Sequence, residues 1–397
     1  MKKLSVQEIE QFYYNAIEEG KVETSDTAII FYALDILNDR LASLRQNFPK
    51  QVLHAVAIKT FSSPEILEHI VSKGFGLEAA SIEEVALAIQ AGAANDQIVF
   101  DSPVKTKAEI DFCHNSLPGI YVNANSLVEL ERYPLDFSGQ LGLRINPLVN
   151  ADAPDILNVS KKTSKFGVPI TLETEIINAC LQHPQIKGLH VHIGSGILNY
   201  QANIEAIQKI KTLTDKINSA RKQQNINTLI EFIDIGGGIH FDEDNPDLNI
   251  AGLVDQLQKL QLFDQYKIIT EYGKFVHNEA SFVISDIEYV VDGVNDKEPK
   301  TAFIHVGADL FVRKVYSNLS IEYPYAVIRK NKEDKSLPIH QYNIAGPLCF
   351  AGDFLFYHLS LPEIKEGDKF VIMETGANTL SMWSNHCSRK PPKLVIV

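Results

Sequence analysis

Short apolar stretches alternate with amphipathic stretches from about residue 50 to about residue 275 of this chain. Eight of the apolar stretches are predicted strands, and each is followed by enough residues for a helix, except that a longer loop follows the fifth. The predicted strands are Val52 to Lys59, Gly76 to Ser81, Gln97 to Ser102, Gly119 to Asn123, Leu141 to Asn146, Lys187 to Gly194, Phe232 to Gly236 and Lys267 to Glu271. Strands that alternate with helices pair in parallel, and eight such units over about 250 residues predict an α/β fold of the (β/α)8 TIM-barrel type. An open, doubly wound sheet is the alternative.

A different pattern begins near residue 280, where strand-like segments follow one another without helices. They are Ser281 to Val291, Thr301 to Val306, Tyr325 to Ile328, Gln341 to Ile344, Lys369 to Glu374 and Leu394 to Val397. Because turn residues separate them, we predict an all-β domain over residues 279–397. The barrel is predicted over 36–278, and residues 1–35 hold a polar helix and a strand near residue 30 that joins the β domain. Asp35 is the predicted N-cap of the helix that follows this strand.

The charge and cysteine content narrow the class of partner. Asp and Glu number 50 against 37 Lys and Arg, and the net charge of -13 argues against nucleic acid or an anionic membrane as a partner. No apolar run resembles a secretory signal or a membrane span, and four cysteines without a CxxC pattern favour free thiols in a reducing cytoplasm. Cys113, Cys180 and Cys387 are predicted to be packing residues. This composition fits a small-molecule enzyme.

Polar groups stand at the carboxyl ends of the predicted barrel strands, where barrel enzymes have their active sites. Lys59 ends the first of these strands. An isolated lysine there is most often a surface residue, whereas a partly desolvated amine can form a Schiff base with a carbonyl cofactor. The other strands end on Glu78 with Ser81, Asp101, Asn123, Arg144, His192 with Ser195, Gly236-Gly237-Gly238, and Glu271. A lysine, a histidine, a triple glycine and a glutamate at one mouth favour the chemical interpretation.

Glycine and histidine motifs add detail to this site. Gly236-Gly237-Gly238 follows a strand and lets backbone N–H groups approach an anion, so it predicts a phosphate cradle, with a tight turn as the alternative. The turn Glu271-Tyr272-Gly273-Lys274 would share the phosphate. His190 and His192 lie on one face of a strand by the period of two. Acidic or cysteine ligands at suitable spacing are not evident, so no metal is predicted; His192 is the functional candidate and His190 a core histidine.

Together these segments resemble the fold-type III pyridoxal 5'-phosphate (PLP) decarboxylases, the family of diaminopimelate, ornithine and carboxynorspermidine decarboxylases. The similarity runs from about residue 27 to residue 397. Its segments are Ala57-Ile58-Lys59, Leu143-Arg144-Ile145-Asn146, Ser164-Lys165-Phe166-Gly167, His192-Ile193-Gly194-Ser195-Gly196, Glu271 to Lys274, Cys349 to Asp353, and Gly376-Ala377-Asn378. The resemblance implies an alanine-racemase-like barrel with a C-terminal β domain, PLP as cofactor, an amino-acid substrate and a homodimer with shared active sites.

The resemblance also implies roles for individual residues. Lys59 would hold PLP through a Schiff base, His192 would stack on its ring, and Glu271 would pair with the pyridine nitrogen. Cys349 would reprotonate the substrate carbon and, with Asp353, would enter the active site of the partner subunit. The remaining cofactor contacts would come from Ser195, Gly236, Gly237, Gly238, Gly273, Lys274 and Asn378, and the substrate contacts from Arg313, Tyr316, Phe350 and Asp353.

Three residues depart from the family pattern. Lys274 replaces the planar fork of an arginine by a point charge, and Asn378 stands where the family has a tyrosine. Phe350 stands where diaminopimelate and ornithine enzymes have an acid for the distal amino group, and an apolar ring cannot pair an ammonium. The carboxynorspermidine enzymes also have an apolar residue there. Arg313 and Tyr316, in contrast, resemble the carboxylate-binding segment of diaminopimelate decarboxylase.

The leading hypothesis is a PLP-dependent decarboxylase that converts meso-diaminopimelate to L-lysine. One alternative is a decarboxylase of a larger amino-acid conjugate, as in polyamine or siderophore pathways. A second is a catalytically silent homologue that binds a partner protein. A PLP racemase is a third, which Glu271 disfavours because the related racemases have an arginine at that place.

Overall fold

The protein is described by a computed structural model, which covers residues 1–151, 153–242, 244–245, 248–295, 297–317, 319–331 and 337–397. The chain divides into two compact units. One comprises Leu41–Phe275, and the other comprises Met1–Arg40 together with Val276–Val397. We call the first the barrel unit and the second the β unit, and each is described by itself.

The strands and helices are numbered along the chain. The strands are β1 (Ala28–Tyr32), β2 (Leu53–Ala57), β3 (Gly76–Ala79), β4 (Ile98–Phe100), β5 (Tyr121–Ala124), β6 (Gln140–Asn146), β7 (Val168–Pro169), β8 (Ile186–His190), β9 (Phe232–Asp234), β10 (Lys267–Thr270), β11 (Ser281–Val291), β12 (Lys300–Ile304), β13 (Tyr325–Ile328), β14 (Ile339–Ala345), β15 (Phe354–Pro362), β16 (Lys369–Ile372) and β17 (Lys393–Ile396). The α-helices are α1 (Val6–Glu18), α2 (Leu34–Asn47), α3 (Pro64–Ser72), α4 (Ile82–Gln90), α5 (Lys107–Ser116), α6 (Leu127–Leu130), α7 (Glu173–Gln182), α8 (Gln201–Gln223), α9 (Ile250–Lys259), α10 (Leu262–Gln265), α11 (Lys274–His277) and α12 (Val312–Tyr316).

The barrel unit contains a closed ring of eight parallel strands, in the order β2, β3, β4, β5, β6, β8, β9, β10 and back to β2. The ring closes where Ile269 of β10 pairs with Leu53 of β2. The two-residue strand β7 pairs with β6 outside the ring. The eight predicted strands and the TIM barrel are therefore confirmed, and the open sheet is wrong because an open sheet would leave β2 and β10 as unpaired edges.

Local sequence explains where the outer helices begin. The Ser81 side chain accepts a hydrogen bond from the backbone N–H of Glu84 at the start of α4, and α4 buries Val85 and Ala88. Thr106 and Glu109 form a reciprocal capping box at the start of α5. Such caps satisfy backbone N–H groups that the first helical turn leaves without partners. These caps therefore fix where α4 and α5, the helices that follow β3 and β4, begin.

Aromatic and aliphatic side chains fill the barrel interior around Phe232. A cluster of buried residues comprises Ala55, Val99, Tyr121, Phe232 and Ile269. Gly188 of the neighbouring strand makes room for the ring, since a Cβ there would lie 2.1 Å from the ring carbon Cζ of Phe232. The amino-terminal half of the barrel is thus a packed core.

The β unit contains an eight-stranded sheet in the order β13, β16, β11, β12, β14, β15, with β1 and β17 attached. Strand β1 pairs antiparallel with β11 and parallel with β17, so the strand near residue 30 joins the β domain as predicted. The buried core includes Ile30, Val283, Tyr342 and Phe370. The predicted all-β domain is confirmed.

Some local predictions were wrong. Helix α2 begins at Leu34, so Asp35 lies in its first turn and is not the N-cap. Strand β15 and the short helix α12 were not predicted, because β15 lacks regular alternation of buried and exposed residues. Cys387 is exposed and is not a packing residue, whereas Cys113 and Cys180 are buried. Within the described residues, we find no helix with the length and apolar character that a bilayer crossing requires.

Candidate active site

The carboxyl-terminal rim of the barrel carries a group of ionisable side chains, all buried except the half-exposed Lys59 and the partly buried His192. Strand register brings them together: Ala57 pairs with Glu78, and His190 pairs both with Arg144 and with Asp234. The group consists of Lys59, Glu78, Asp101, Arg144, His190, His192, Asp234 and Glu271. Buried charges are costly unless they are paired, so the pairing within this group decides which of them are ionised.

Lys59 contacts a buried carboxylate. It lies in the single turn Ile58–Thr60 that follows β2, and its Nζ donates to Glu78 Oε2 at 2.5 Å. The Lys59 side chain is half exposed and Glu78 is fully buried. Burial lowers the pKa of Lys59, but the carboxylates of Glu78, Glu271 and Asp101 outweigh it and the pKa is raised overall. Lys59 is therefore not a simple surface lysine.

Glu78 has a pKa near neutrality. Burial raises the pKa of its carboxyl group to about 8, with further raising contributions from Glu271 and Asp101, although Lys59 acts in the opposite direction. Its Oε1 is buried and accepts no hydrogen bond from any described group. A carboxyl group with these properties can exchange a proton with the lysine it contacts.

His190 lies between two carboxylates. Its Nδ1 is 3.4 Å from Asp101 Oδ1, and its Nε2 is 3.7 Å from Glu271 Oε2. Burial lowers the pKa of His190, but Asp101, Glu271 and Asp234 outweigh it and raise the pKa to about 10. The prediction of a core histidine is right about burial, because the ring is fully buried. It missed that the neighbours of the ring are charged.

His192, two residues on, differs in its charge. The backbone N–H of Gly237 donates to its Nδ1 at 3.1 Å, so that nitrogen carries no hydrogen. Burial lowers the pKa of His192 to about 3, although Glu271 Oε2 lies 4.0 Å from Nδ1 and raises it. The ring is therefore neutral and fixed in one tautomer by a backbone contact. A neutral ring held in this way can stack against a flat cofactor.

Asp101 and Arg144 complete the charge network. Arg144 Nη1 donates to Asp101 Oδ2 at 2.7 Å, and both side chains are buried. Although burial raises the pKa of Asp101, Arg144 and His190 outweigh it and hold the pKa well below its ordinary value. Asp234 differs, because burial and Glu271 raise its pKa well above the ordinary value. The sequence placed Asp101 and Arg144 at strand ends without assigning them a role, and it did not single out Asp234.

The glycine motif forms a tight junction of three loops. Gly236 and Gly238 have φ values of +65° and +94°, and a Cβ on Gly238 would lie 1.8 Å from the carbonyl oxygen of Gly194. A Cβ on Gly237 would lie 2.4 Å from the carbonyl oxygen of Glu271. The loops after β8, β9 and β10 thus meet with no room for side chains. Backbone N–H groups in such a junction can bind an anion, but those of Gly236 and Gly237 already donate to Asp234 Oδ1 and His192 Nδ1.

The turn after β10 comes close to Lys59. A Cβ on Gly273 would lie 2.1 Å from Thr60 Oγ1, next to Lys59 in sequence. Lys274 follows at the start of α11. Ser195 lies in the turn after β8, where its backbone N–H donates to Leu157 O. These predicted phosphate-binding residues therefore stand on the same loops as the glycine junction.

The predicted substrate-binding residues lie in the β unit. Arg313 Nη1 donates to Asn378 Oδ1 at 3.0 Å. The rings of Tyr316 and Phe350 are stacked, with centroids 5.2 Å apart, and both are exposed. The unit thus presents a guanidinium group on α12 and an exposed stack of two aromatic rings, Tyr316 from α12 and Phe350 from the turn before β15.

Cys349 and Asp353 occupy one turn of the β unit. Cys349 is exposed. Asp353 is buried, and its carboxylate accepts hydrogen bonds from the backbone N–H groups of Ala308 and Leu348 at 2.6 and 2.7 Å. Asp353 therefore holds in place the turn that exposes Cys349.

The barrel rim suits a flat, phosphorylated aldehyde. A lysine amine, a neutral imidazole ring and a glycine-lined backbone junction are present. Glu271 Oε1 is buried and receives no hydrogen bond from the described residues, which leaves an acceptor for a ligand. Burial raises the pKa of Glu271, but His190 outweighs it and lowers the pKa to about 2. An ionised carboxylate in this place favours a positively charged ligand nitrogen.

Comparisons with known proteins give a consistent result. Residues 34–278 match the family model described as "Pyridoxal-dependent decarboxylase, pyridoxal binding domain". The chain is 28% identical to diaminopimelate decarboxylase of Neisseria meningitidis serogroup A, over 94% of this chain and 90% of the relative. It is 26% identical to diaminopimelate decarboxylase of Bacteroides thetaiotaomicron, over 94% and 96%. The crystal structure of diaminopimelate decarboxylase from Helicobacter pylori complexed with L-lysine has the same fold, with a TM-score of 0.82 at 24% identity over 96% of this chain and 93% of that one.

Proposed function

This chain belongs to the family of pyridoxal-dependent decarboxylases, and we propose that it removes the α-carboxylate of meso-diaminopimelate to give L-lysine. The family membership makes PLP the cofactor. The observation that carries the proposal is the gathering of Lys59, His192, Glu271 and the triple glycine at one rim of the barrel. The diaminopimelate decarboxylases named above, which align over nearly the whole chain, support this choice of substrate.

We propose that each group on the barrel rim holds one part of the cofactor. Lys59 would hold the aldehyde end through its amine, the neutral ring of His192 would hold the pyridine ring, and the carboxylate of Glu271 would hold the pyridine nitrogen. The phosphate would be held by the turns that carry Ser195, Gly236, Gly237, Gly238 and Gly273, with Lys274 and Asn378. When bound, PLP supplies an electron sink for the negative charge that carbon dioxide leaves behind.

The chain's own residues handle the protons. Ionised Glu271 keeps a proton on the pyridine nitrogen, because a nearby carboxylate favours the positive form of that nitrogen. Glu78 Oε2, 2.5 Å from Lys59 Nζ, would accept a proton from the lysine amine and return it. The exposed thiol of Cys349 donates a proton to the substrate carbon after decarboxylation.

The substrate's distal end is assigned to the β unit. Arg313 and Tyr316 bind a distal carboxylate, since a guanidinium group can pair a carboxylate through two hydrogen bonds. The turn held by Asp353 presents Cys349 and Phe350. Phe350 places an aromatic ring, not a charge, beside this end.

The central experiment is product analysis with PLP and meso-diaminopimelate. We expect carbon dioxide and L-lysine from the wild-type protein, none from Lys59→Ala, and wild-type activity from Lys107→Ala, an exposed lysine outside the site. Full activity in Lys59→Ala would refute the mechanism. Absence of carbon dioxide release from every amino acid tried would favour the silent, partner-binding homologue.

A second candidate substrate is a larger amino-acid conjugate of the polyamine or siderophore type. It is favoured by one observation, the exposed stack of Phe350 on Tyr316 with ring centroids 5.2 Å apart. Such a surface suits an apolar or extended distal group better than an ammonium. Faster carbon dioxide release from carboxynorspermidine than from meso-diaminopimelate would select this candidate, and the reverse order would remove it.

We also propose a homodimer in which Cys349 of each subunit serves the active site of the other, in a cytoplasmic enzyme. Mixing Lys59→Ala and Cys349→Ala proteins under conditions of subunit exchange then forms hybrid dimers with one intact site. Activity should return to about one quarter of the wild-type value, because half of the dimers are hybrids with half of their sites intact. If subunit exchange is demonstrated and activity still does not recover, the proposal of shared sites is refuted.

A further inference from the structure

The proposed function requires the Glu271 carboxylate to be ionised, and the groups that lie nearest to it as ion-pair partners are histidines. In the part of the chain that the structure describes, its ion-pair contacts within 4.0 Å are to two histidines, His190 at 3.7 Å and His192 at 4.0 Å. His192 accepts the Gly237 N–H on the nitrogen that faces Glu271. His192 is therefore not the cation that pairs with Glu271.

His190 has the geometry of a cation. Each ring nitrogen faces a different carboxylate, Asp101 at 3.4 Å and Glu271 at 3.7 Å, and a neutral imidazole would turn a lone pair toward one of them. The ring is fully buried. Asp101 is in turn fixed by Arg144 at 2.7 Å, so it is ionised and unable to supply the missing proton.

The balance of charge points the same way. The buried rim holds four carboxyl groups, Glu78, Asp101, Asp234 and Glu271. Of the cations among them, Lys59 contacts Glu78 and Arg144 contacts Asp101. Once Lys59 has bonded to a cofactor, its amine is engaged there, and His190 remains as the cation beside Glu271. Without it, burial would favour the protonated, neutral form of the Glu271 carboxyl.

We propose that His190 is held as an imidazolium between Asp101 and Glu271 and acts as a positioning residue that keeps Glu271 ionised toward the cofactor. This inference deepens the proposed function and rests on it for the role of Glu271. The groups that face the ring are Asp101 after β4, Arg144 on β6, His192 beyond β8, Asp234 on β9 and Glu271 after β10. Asp101 and Glu271 determine its charge because their carboxylate oxygens lie 3.4 and 3.7 Å from its two nitrogens.

The first test reads the protonation of His190 directly. Full-length protein with PLP, labelled with 15N at the histidine rings, is titrated from pH 6 to pH 8.5, and His190→Gln assigns the signal. We expect His190 to remain an imidazolium throughout. His54, a buried barrel histidine bonded to Thr270 Oγ1 at 2.8 Å, is the internal control and should stay neutral, because burial lowers its pKa to about 3. A neutral His190 at pH 7.5 would overturn the proposal.

The second test reads the effect on the cofactor. In His190→Gln, we expect the 15N shift of the labelled pyridine nitrogen to move toward its unprotonated value, and kcat to fall at least tenfold with little change in KM. His54→Gln should leave the pyridine nitrogen protonated. A protonated pyridine nitrogen in His190→Gln would refute the positioning role.

A third variant covers the case in which His190→Gln does not fold. Asp101→Asn keeps the shape of the side chain and removes one of the two facing charges, so the pKa of His190 should fall by at least one unit; an unchanged titration would contradict the proposal. If wild-type protein binds no PLP, the proposed function fails. The histidine titration of the same protein then still decides whether His190 is an imidazolium.

Discussion

Gly238 offers a sharp test of how the loops at the barrel rim bind the cofactor. Its φ is +94°, and a Cβ there would lie 1.8 Å from the carbonyl oxygen of Gly194, whereas such contacts are at least 3.0 Å in real structures. In Gly238→Ala the loops after β8 and β9 must therefore separate by roughly 1.2 Å, the difference between these two distances. Misplacement of a catalytic group by about 1 Å can lower the reaction rate on the order of 100-fold. We expect the rate of carbon dioxide release to fall about 100-fold and the Kd for PLP to rise.

Two other glycines separate this displacement from the cost of the backbone conformation. Gly196 and Gly92 have φ values of +72° and +83°, and a Cβ on either would meet no atom within 4 Å. Alanine at each should cost about 1–2 kcal/mol in the free energy of unfolding, from the left-handed conformation alone. Gly92→Ala should leave PLP binding unchanged, and Gly196→Ala should weaken it less than tenfold.

The assay is a titration of the cofactor-free protein with PLP, followed by absorbance, alongside urea unfolding of each variant. Urea unfolding shows whether a variant is folded before its affinity is compared. Wild-type affinity in Gly238→Ala would refute the argument from close approach. Equal losses in Gly196→Ala and Gly238→Ala would show that conformation, not contact, limits binding.

Three further predictions concern single ionisable side chains. Glu78→Gln should lower the pKa of Lys59, so that acetylation of Lys59 measured by mass spectrometry begins at lower pH. Glu83→Gln, which changes an exposed carboxyl group in the first turn of α4, is the control, and an unchanged profile in Glu78→Gln would contradict the pairing. Burial lowers the pKa of His277 to about 3. Between pH 6.5 and pH 3, His277 is therefore protonated in the unfolded chain but not in the folded chain. The free energy of unfolding consequently falls as the pH falls. His277→Gln should therefore reduce the slope of unfolding free energy between pH 6 and pH 4 by about 1.4 kcal/mol per pH unit, and an unchanged slope would refute this. Arg221 is fully buried and donates to the backbone carbonyls of Cys180 in α7 and of His183 and Ile186 beyond it. Changing Arg221 to Met should therefore cost at least about 3 kcal/mol in the free energy of unfolding measured in urea, and a loss below about 1 kcal/mol would count against that role.

The barrel could be predicted because its signals are local. An apolar run such as Leu53–Ala57 followed by an amphipathic segment indicates a strand and a helix without knowledge of the rest of the chain. Strand β15 was missed because its burial does not alternate, and Asp35 was misassigned because a cap depends on where the preceding strand ends. Closure of the ring through β10 and β2 could be predicted only from the number of strands, because no local sequence pattern encodes a pairing between residues so far apart.

The site could be predicted in part for the same reason. Lys59 and Glu271 follow apolar strands and carry groups whose chemistry is known from the residue type alone. The contacts of His190 with Asp101 and Glu271 could not be predicted, because the three residues come from separate strands and meet only when the barrel closes. The only indication in the sequence was the two-residue period of side chains along a strand, which placed His190 on the same face as His192.

The two histidines show where sequence ends and tertiary structure begins. Sequence by itself determined that two imidazoles stand at one strand end, on one face, near a glycine junction. Only the fold decided that burial beside two carboxylates raises the pKa of His190 to about 10, while burial beside a backbone N–H lowers that of His192 to about 3. Charge state depends on the distance to other charges and on exclusion of water, and both are properties of the folded chain.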